Sequence, residues 1–284
     1  MSITKYFIGI KNIKDENLFD INLENNIDYE NKIFFFEKKL IPNNIFQLYH
    51  DKNLIPNYVK ENIKKLNNNY NYYFYDFEES KSIINSNFSK DFSDKIILTI
   101  DKLPRYCHKS DIIRYCLLYI FGGIYIDCDL KPLYGFNKFL ENINDVTLYS
   151  SFGKGAETFL CKTKIGEKKI HKMMANGIFA STKNNPILLE LINYCIENPI
   201  DSNPDNRGIN VIQLYNCIES KCKKINITAE PYKKLLLENE IIYLINQDES
   251  DIYGTNCFVN EDGIVLINPN DEEYNFKRQT SSFI

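Results

Sequence analysis

The stretch KSDIIRYCLLYIFGGIYIDCDL, residues 109–130, constrains the fold of this chain more than any other segment. Apolar residues recur at helical spacing after Ser110, which predicts a helix with Ser110 as its N-cap. Gly122 and Gly123 end that helix and permit a tight entry into a strand from Ile124 to Asp127. This order of elements favours an α/β fold.

Two aspartates stand at the end of that apolar strand. Because strand side chains alternate between faces, Tyr125, Asp127 and Asp129 share one face if the strand stays regular, and Ile126 and Cys128 share the other. Burying a carboxylate costs free energy unless a cation or hydrogen-bond donors compensate it. Ligands of open α/β sheets bind beyond the carboxyl ends of strands, so we expect a ligand at this place.

The aspartate pair is suited to a hard divalent cation. Carboxylate oxygens without nearby cysteine or histidine favour Mn²⁺ or Mg²⁺, which commonly also hold substrate phosphates. The alternative is an exposed strand end whose acids cap the next segment or are solvated. An acid-any-acid pattern is common by chance, and the apolar strand behind Gly122 and Gly123 is the context that favours the metal interpretation.

The segment before the motif predicts a parallel βαβ unit. IPNNIFQLYH, residues 41–50, reads as a strand, a helix follows from about Pro56 to Leu66, and YNYYFYDFEES, residues 70–80, reads as an aromatic strand. No repeat or low-complexity linker divides the chain. We therefore expect a single domain over 41–284, with 1–40 as an N-terminal extension of short strands or a hairpin packed on it.

Charge and composition exclude several classes of protein. A formal net charge of −4 and a pI near 5.6 argue against a general nucleic-acid binder. The 8 cysteines form no C-x-x-C pair, so we expect reduced thiols rather than a zinc site. No apolar run is long enough for a transmembrane segment, and no signal peptide is evident at the N-terminus, which predicts a soluble intracellular protein.

KSDIIRYCLLYIFGGIYIDCDL resembles the signature of glycosyltransferase family 32 and related retaining sugar transferases, including the catalytic domains of large clostridial toxins. IPNNIFQLYH is similar to the first strand of that family. The resemblance covers roughly residues 40–190 and implies a GT-A fold, with a Rossmann-like mixed sheet flanked by helices in a single catalytic domain. It also implies a nucleotide-sugar donor, Mn²⁺ or Mg²⁺, and retention of anomeric configuration.

The resemblance assigns roles to the matching residues. Asp127 would contact the donor ribose and help to hold the metal, and Asp129 would bind the metal directly. Tyr125 would lie against the nucleoside. Asp111 and Arg114 would hydrogen-bond the transferred sugar. The alternative for Asp111 and Arg114 is a charge at a helix start and a surface i,i+3 pair, worth only a few tenths of a kcal/mol.

Two further residues match family positions. Tyr49 stands where the family uses an aromatic side chain to stack on the base, although a tyrosine at a strand end is also an ordinary packing residue. Asn176, in NGIFAS, resembles an asparagine that approaches the anomeric carbon of the sugar. The alternative for Asn176 is an Asn-Gly turn.

The chain also departs from the family. Members often carry a C-terminal His and a Ser-Trp pair that close over the metal, but this chain has 0 Trp, and its three histidines all lie earlier. A third metal ligand must then come from another group. The weak candidates lie in QDESDIYGTNC and are Asp248, Asp251 and Asn256.

The aspartate pair and the family resemblance together predict a metal-dependent hexosyltransferase, and the resemblance implies retention of configuration. The expected donor is a UDP-sugar, with UDP-glucose first, and the expected acceptor is a glycan or a glycosylated protein, such as a collagen-like chain with galactosylated hydroxylysine. The alternatives are a catalytically degenerate protein of the same fold that binds carbohydrate or assists assembly, and a nucleotidyltransferase. The oligomeric state stays open.

Overall fold

The computed structural model describes residues 3–7, 33–37, 40–140, 146–152, 159–162, 168–171, 174–197, 209–224, 232, 234–237, 240–250, 254–259 and 265–268. For residues 3–7, 33–37, 152, 159–162 and 168–171, and for parts of the segments after residue 208, only the backbone is described. The described helices are α1 (Asn57–Leu66), α2 (Phe77–Asn87), α3 (Lys90–Lys102), α4 (Tyr106–Phe121), α5 (Phe136–Phe139), α6 (Pro186–Glu197) and α7 (Ile209–Lys224). None of them combines the length and the apolarity that a membrane span requires.

The strands of the described residues are β1 (Ile3–Phe7), β2 (Ile33–Glu37), β3 (Asn44–Leu48), β4 (Asn71–Tyr75), β5 (Gly123–Ile126), β6 (Lys131–Pro132), β7 (Leu148–Phe152), β8 (Phe159–Lys162), β9 (Lys168–His171), β10 (Met174–Ser181), β11 (Lys234–Leu237), β12 (Glu240–Ser250), β13 (Gly254–Val259) and β14 (Val265–Asn268). β1 pairs antiparallel with β2, and β8 with β9. The other strands form one sheet in the order β4-β3-β5-β10-β7-β12-β13-β14-β6, with β11 beside β12.

The sheet is mixed, and its first three strands are parallel. β3 runs parallel to β4 and to β5, whereas β10 runs antiparallel to β5. The predicted βαβ unit is confirmed as β3, α1 and β4. From β3 the chain moves to β4 on one side and returns through α2, α3 and α4 to β5 on the other side. The order of the strands therefore reverses at β3, and open α/β sheets commonly bind ligands at such a point, beyond the carboxyl ends of the strands.

The predicted helix before the glycines is α4, but it starts one turn earlier than the sequence suggests. Arg105 occupies the N-cap position, and Ser110 lies inside the helix. The prediction of Ser110 as N-cap was wrong because no helix-breaking residue separates Tyr106 from Ser110, so the helix continues back to the residue after Arg105.

The two glycines at the end of α4 make the tight turn that the sequence predicts. Gly122 and Gly123 have φ angles of 64° and 126°, values that favour glycine. A Cβ atom on Gly123 would lie 2.5 Å from the carbonyl oxygen of Asn44 in β3. Glycine is therefore required for β5 to lie directly against β3.

β5 ends earlier than predicted, at Ile126, and residues 128 and 129 form a turn. Asp127 follows the last strand residue, so it still emerges beside Tyr125. Asp129 no longer follows the strand alternation, and the expectation that it shares a strand face with Asp127 was wrong. The turn closes with a 3.2 Å hydrogen bond from the Leu130 amide to the Asp127 carbonyl.

Two apolar layers cover the two faces of the sheet. One layer contains Phe46, Tyr125 and Phe179 with residues of α2, α3, α4, α6 and α7. The other contains Ile124 and Ile126 with residues of α1 and α5. Because Tyr125 faces the α4 layer, the residue two positions later, Asp127, lies on the side of the sheet that α4 covers.

Candidate functional site

A buried guanidinium joins the acids of α4 and β5. Nη2 of Arg114 lies 3.2 Å from Oδ1 of Asp111 and 3.2 Å from Oδ1 of Asp127. The side chain of Arg114 is 4% exposed, whereas those of Asp111 and Asp127 are 15% and 24% exposed. The cation is therefore enclosed by protein, while both carboxylate side chains are partly exposed.

Arg114 makes its other contacts with protein groups as well. Its guanidinium carbon lies 4.4 Å from the ring centre of Tyr125, Nε donates to the Ser110 carbonyl at 3.3 Å, and Nη1 donates to the Asn176 carbonyl at 2.5 Å. Burial disfavours the charged guanidinium, but the neighbouring Asp127, Tyr125 and Asp111 outweigh it and raise the pKa of Arg114. Arg114 is a permanent cation whose contacts hold the acids in place.

The Asp127 carboxylate uses one oxygen for the protein. Its Oδ1 accepts the Tyr125 hydroxyl at 2.7 Å in addition to the Arg114 contact. Burial is the main reason that the pKa of Tyr125 lies well above its ordinary value, so this hydroxyl stays a donor. Within the described chain, no group donates to Oδ2 of Asp127.

Gly177 lies against that second oxygen. A Cβ atom at Gly177 would stand 3.1 Å from Oδ2 of Asp127, and the Asp127 amide donates to the Gly177 carbonyl at 2.8 Å. The backbone of β10 therefore fixes the position of Asp127, and a side chain at position 177 would crowd Oδ2.

β10 reaches the acids because it bulges away from β7. Ala175 pairs with Ser151 and Ala180 with Tyr149, so residues 176–179 of β10 stand opposite the single residue Ser150 of β7. Inside this bulge, the Asn176 amide nitrogen Nδ2 donates to Oδ1 of Asp111 at 2.9 Å and to the Tyr115 hydroxyl at 3.0 Å. The Asn-Gly turn considered for Asn176 is wrong, because both residues lie within β10.

The structure thus brings Asp111, Arg114, Tyr125, Asp127 and Asn176 together at one edge of the sheet. Asp129 follows in the turn and is partly exposed. Because the Tyr125 hydroxyl bonds Asp127, only the ring of Tyr125 is left for the predicted contact with a nucleoside. That contact stays a prediction.

Tyr49 directly follows the carboxyl end of β3. It is 7% exposed and packs in an apolar cluster with Ile55, Val59 and Cys128. Its ring centre lies 4.4 Å from that of His50. This burial agrees with the packing alternative, and the base-stacking role of Tyr49 stays a prediction.

The third metal ligand is not identified. Asp251 lies outside the described residues, and Asp248 and Asn256 are described only by their backbones, in β12 and β13. No group of three or more His, Cys, Asp or Glu side chains suited to a metal occurs in the described part of the chain.

Asp127 has a carboxylate oxygen of the kind that a divalent cation prefers, and the metal role of Asp127 and Asp129 stays a prediction. Oδ2 of Asp127 has no donor among the described groups, and a side chain at Gly177 would crowd it. Mg²⁺ and Mn²⁺ prefer such hard oxygen ligands and complete their coordination with water and phosphate oxygens. A metal that is shared with a diphosphate takes few ligands from the protein, so the expected third protein ligand is not identified and stays a prediction.

Sequence reasoning missed Tyr115 and Gly177. Tyr115 lies four residues after Asp111 on α4, so helical periodicity alone places the two side chains on one face. Gly177 gives no comparable sequence signal, because its closeness to Asp127 depends on the pairing of β10 with β5.

Comparison with known proteins gives a partial match around this site. Residues 56–146 match a family model described as "Glycosyltransferase sugar-binding region containing DXD motif". That segment includes Asp111, Arg114, Asp127 and Asp129 and ends before Asn176.

A curated relative is "Uncharacterized glycosyltransferase L373" from Acanthamoeba polyphaga mimivirus, 27% identical over 152 residues. The match covers 52% of this chain and 53% of the relative, so the chain spans about half the length of this relative. Among solved structures, "PaToxG Glycosyltransferase" aligns with a TM-score of 0.41 and 17% identity over 71% of this chain and 83% of that one. The family match and the mimiviral relative support a glycosyltransferase family with a DXD motif, as the resemblance predicts.

Proposed function

We propose that this protein is a metal-dependent glycosyltransferase that moves a hexose from a UDP-sugar to a hydroxyl of a glycan or a glycosylated protein. The observation that carries the proposal is the Arg114-centred cluster. It holds Asp111, Asp127 and Asn176 together at the carboxyl end of β5. Asp111 and Asp127 lie within the segment that matches the DXD family, and Asn176 follows that segment in the sequence.

Asp127 and Asp129 would hold Mn²⁺ or Mg²⁺. A divalent cation at this place supplies electrostatic stabilisation of the negative charge on a departing diphosphate. Asp127 is positioned for this role by two separate restraints, the Arg114 and Tyr125 contacts on Oδ1 and the backbone bond to Gly177. Because those restraints occupy one oxygen only, Oδ2 stays available for the cation.

Asp111 and Asn176 would bind the transferred sugar. The Asp111 carboxylate is partly exposed, and in the described part of the chain no group donates to Oδ1 of Asn176. Oxygen acceptors of this kind suit sugar hydroxyls. Arg114 would act behind them by fixing Asp111, Asp127 and the Asn176 backbone, in place of the direct sugar contact that the resemblance implies.

Retention of anomeric configuration would follow from attack on the same face as the leaving group. The described acids near Asn176, which are Asp111 and Asp127, are both bound to Arg114. A carboxylate held by a guanidinium is a poor nucleophile because its charge is already compensated. We therefore favour a reaction in which the leaving phosphate oxygen takes the proton of the acceptor hydroxyl and Asn176 steadies the positive sugar.

The nucleoside would lie over the carboxyl end of β3, with the Tyr49 and Tyr125 rings beside it. UDP-glucose is the first candidate donor. The acceptor class follows from the resemblance, and galactosylated hydroxylysine of a collagen-like chain is one candidate within it.

The test is release of UDP from a panel of UDP-sugars without acceptor, with Mn²⁺ and with EDTA. The proposal predicts release from at least one UDP-sugar, dependent on the metal and abolished in the Asp127→Ala, Asp129→Ala double variant. Absence of release, together with absence of metal-dependent UDP binding by calorimetry, would overturn it and favour a binding protein.

A further inference from the structure

Tyr115 is a fully buried tyrosine whose hydroxyl lies at the candidate site. It follows Arg114 on α4, its side chain is 0% exposed, and its hydroxyl oxygen accepts Nδ2 of Asn176 at 3.0 Å. The ring is fixed by packing, since it meets the Phe179 ring edge-on with ring centres 5.9 Å apart. The position of the hydroxyl is therefore determined by the core and not by the ligand.

The two bonds of the Asn176 amide decide its orientation. A primary amide carries two N–H groups on one atom and an acceptor oxygen on the other. The ionised Asp111 can only accept, so its contact identifies the nitrogen side of the amide. Tyr115 takes a second bond from the same nitrogen. With both N–H groups directed toward α4, Oδ1 is directed away from α4.

The backbone of Asn176 is held by the same helix. Its carbonyl accepts Nη1 of Arg114 at 2.5 Å, while the preceding carbonyl, that of Ala175, accepts the Ser150 hydroxyl at 3.2 Å. These contacts fix the backbone of the bulge. They leave the side-chain torsion angles of Asn176 to Asp111 and Tyr115.

We propose that Tyr115 is a positioning residue, whose hydroxyl holds the second amide N–H of Asn176 and so keeps Oδ1 directed at the transferred sugar. The inference rests on the proposed function, because it assumes that Asn176 contacts the sugar. Burial is the main cause that raises the pKa of Tyr115 well above its ordinary value, so the hydroxyl is neutral near pH 7.

The chain offers a matched control in Tyr149. Tyr149 is also fully buried, and its hydroxyl has no hydrogen-bond partner among the described residues. Tyr115→Phe and Tyr149→Phe remove the same atom from two buried rings. Only the first removes a contact to Asn176.

The experiment measures steady-state release of UDP from the best UDP-sugar, without acceptor. Tyr115→Phe is expected to lower kcat about tenfold with the KM for the donor within twofold of wild type, since the change affects the reacting sugar and not the nucleotide. Tyr149→Phe is expected to keep both values. An unchanged kcat in Tyr115→Phe, or an equal loss in both variants, would overturn the inference.

A double-mutant cycle separates positioning from general damage. If Tyr115 acts through Asn176, Tyr115→Phe causes no further loss of kcat in an Asn176→Ala background. An additional tenfold loss in that background would contradict the inference. A wild-type kcat in Asn176→Ala alone would instead show that the proposed role of Asn176 fails.

A second readout does not need activity. The side-chain amide signals of Asn176 in an ¹⁵N-correlated NMR spectrum, assigned with Asn176→Ala, are expected to shift in Tyr115→Phe and to stay in place in Tyr149→Phe. Unshifted amide signals in Tyr115→Phe would overturn the inference, even if the protein proved to have no transferase activity.

Discussion

β10 carries a buried polar cluster at each end, and the two clusters differ in how completely their atoms are bonded. At the start of β10, Asn176 belongs to the Arg114-centred cluster, whose acids reach the surface. Beyond its end, Asn185 donates to Oε2 of Glu240 at 3.0 Å and to the Thr147 carbonyl at 3.1 Å. Asn185 and Glu240 are 0% and 2% exposed.

The Asn185 cluster is bonded to the protein on all sides that the structure describes. Oδ1 of Asn185 accepts the Ile187 amide at the start of α6, and the Thr147 hydroxyl bonds the carbonyl and amide of Ile241. These contacts connect β7, β12 and α6. The cluster therefore serves the fold.

The Arg114-centred cluster is different because it keeps acceptors that the described chain does not satisfy. Oδ2 of Asp127 and Oδ1 of Asn176 have no donor among the described groups, and the Asp127 side chain is partly exposed. These two acceptors are left for water or for a ligand, and the proposed function assigns them to the metal and to the sugar. The comparison teaches that the two clusters differ in the acceptors that they leave unused, and the proposed function depends on those acceptors.

The largest expected effect comes from a change in the Arg114-centred cluster. Asp127→Asn keeps the shape of the side chain but removes the anionic oxygen that would face the cation. We expect metal-dependent release of UDP to fall by about a hundredfold or more, with unfolding in urea close to wild type. Activity retained within a few-fold would place the reacting diphosphate somewhere else.

A change in the Asn185 cluster should instead lower stability and leave activity unchanged. Asn185→Ala removes the bonds to Glu240, to the Thr147 carbonyl and to the Ile187 amide, and leaves Glu240 buried with a lost donor. We expect the free energy of unfolding to fall by about 2–4 kcal/mol, measured in urea, while kcat of the folded protein stays unchanged. A specific loss of kcat without a loss of stability would break the comparison.

Arg114→Lys tests the role of the guanidinium within the Arg114-centred cluster. Lysine keeps the positive charge but has a single ammonium group, which cannot reach Asp111, Asp127 and the Asn176 carbonyl together. We expect kcat for UDP release to fall about tenfold. Arg114→Lys and Tyr115→Phe should both alter the Asn176 amide signals, because both residues hold Asn176.

The smallest expected effect comes from His108, a third kind of buried group on α4. Neither of its ring nitrogens has a hydrogen-bond partner in the described residues. Burial, with a smaller contribution from Arg105 against the opposing charge of Asp111, lowers the pKa of His108 below 6.5. The unfolded chain therefore binds the proton first as the pH falls, and stability decreases from about pH 6.5 downward.

This pH dependence is measurable by urea unfolding between pH 7 and pH 5. The slope should not exceed about 1.4 kcal/mol per pH unit, the limit for one proton. His108→Leu should flatten the curve in this range. An equal slope in His108→Leu would assign it to other groups.

The elements next to the motif could be predicted because their signals are local. The glycine pair, the strand after it and the β3, α1, β4 unit follow from spacing and turn chemistry, and the structure confirms them. The start of α4 was wrong because a plausible cap at Ser110 does not end a helix that can continue. The position of Asp129 was wrong because the strand ends one residue before Asp127.

The site itself could be predicted only in part. The family resemblance names Asp111, Arg114, Asp127 and Asn176, but their mutual contacts depend on the bulge in β10, which forms where β7 and β5 impose different registers on one strand. No local pattern encodes that mismatch. The burial of Tyr49 and the inward contacts of Arg114 likewise depend on packing between distant segments.

The most direct test of the account is calorimetric titration of UDP into the wild-type protein, once with Mn²⁺ and once with EDTA. The account predicts binding with Mn²⁺ that is lost in EDTA and lost in Asp129→Ala. It also predicts that Asn185→Ala retains this binding. UDP binding of equal strength with and without the metal, or no binding under either condition, would contradict the claim that the Arg114-centred cluster is a metal and nucleotide-sugar site.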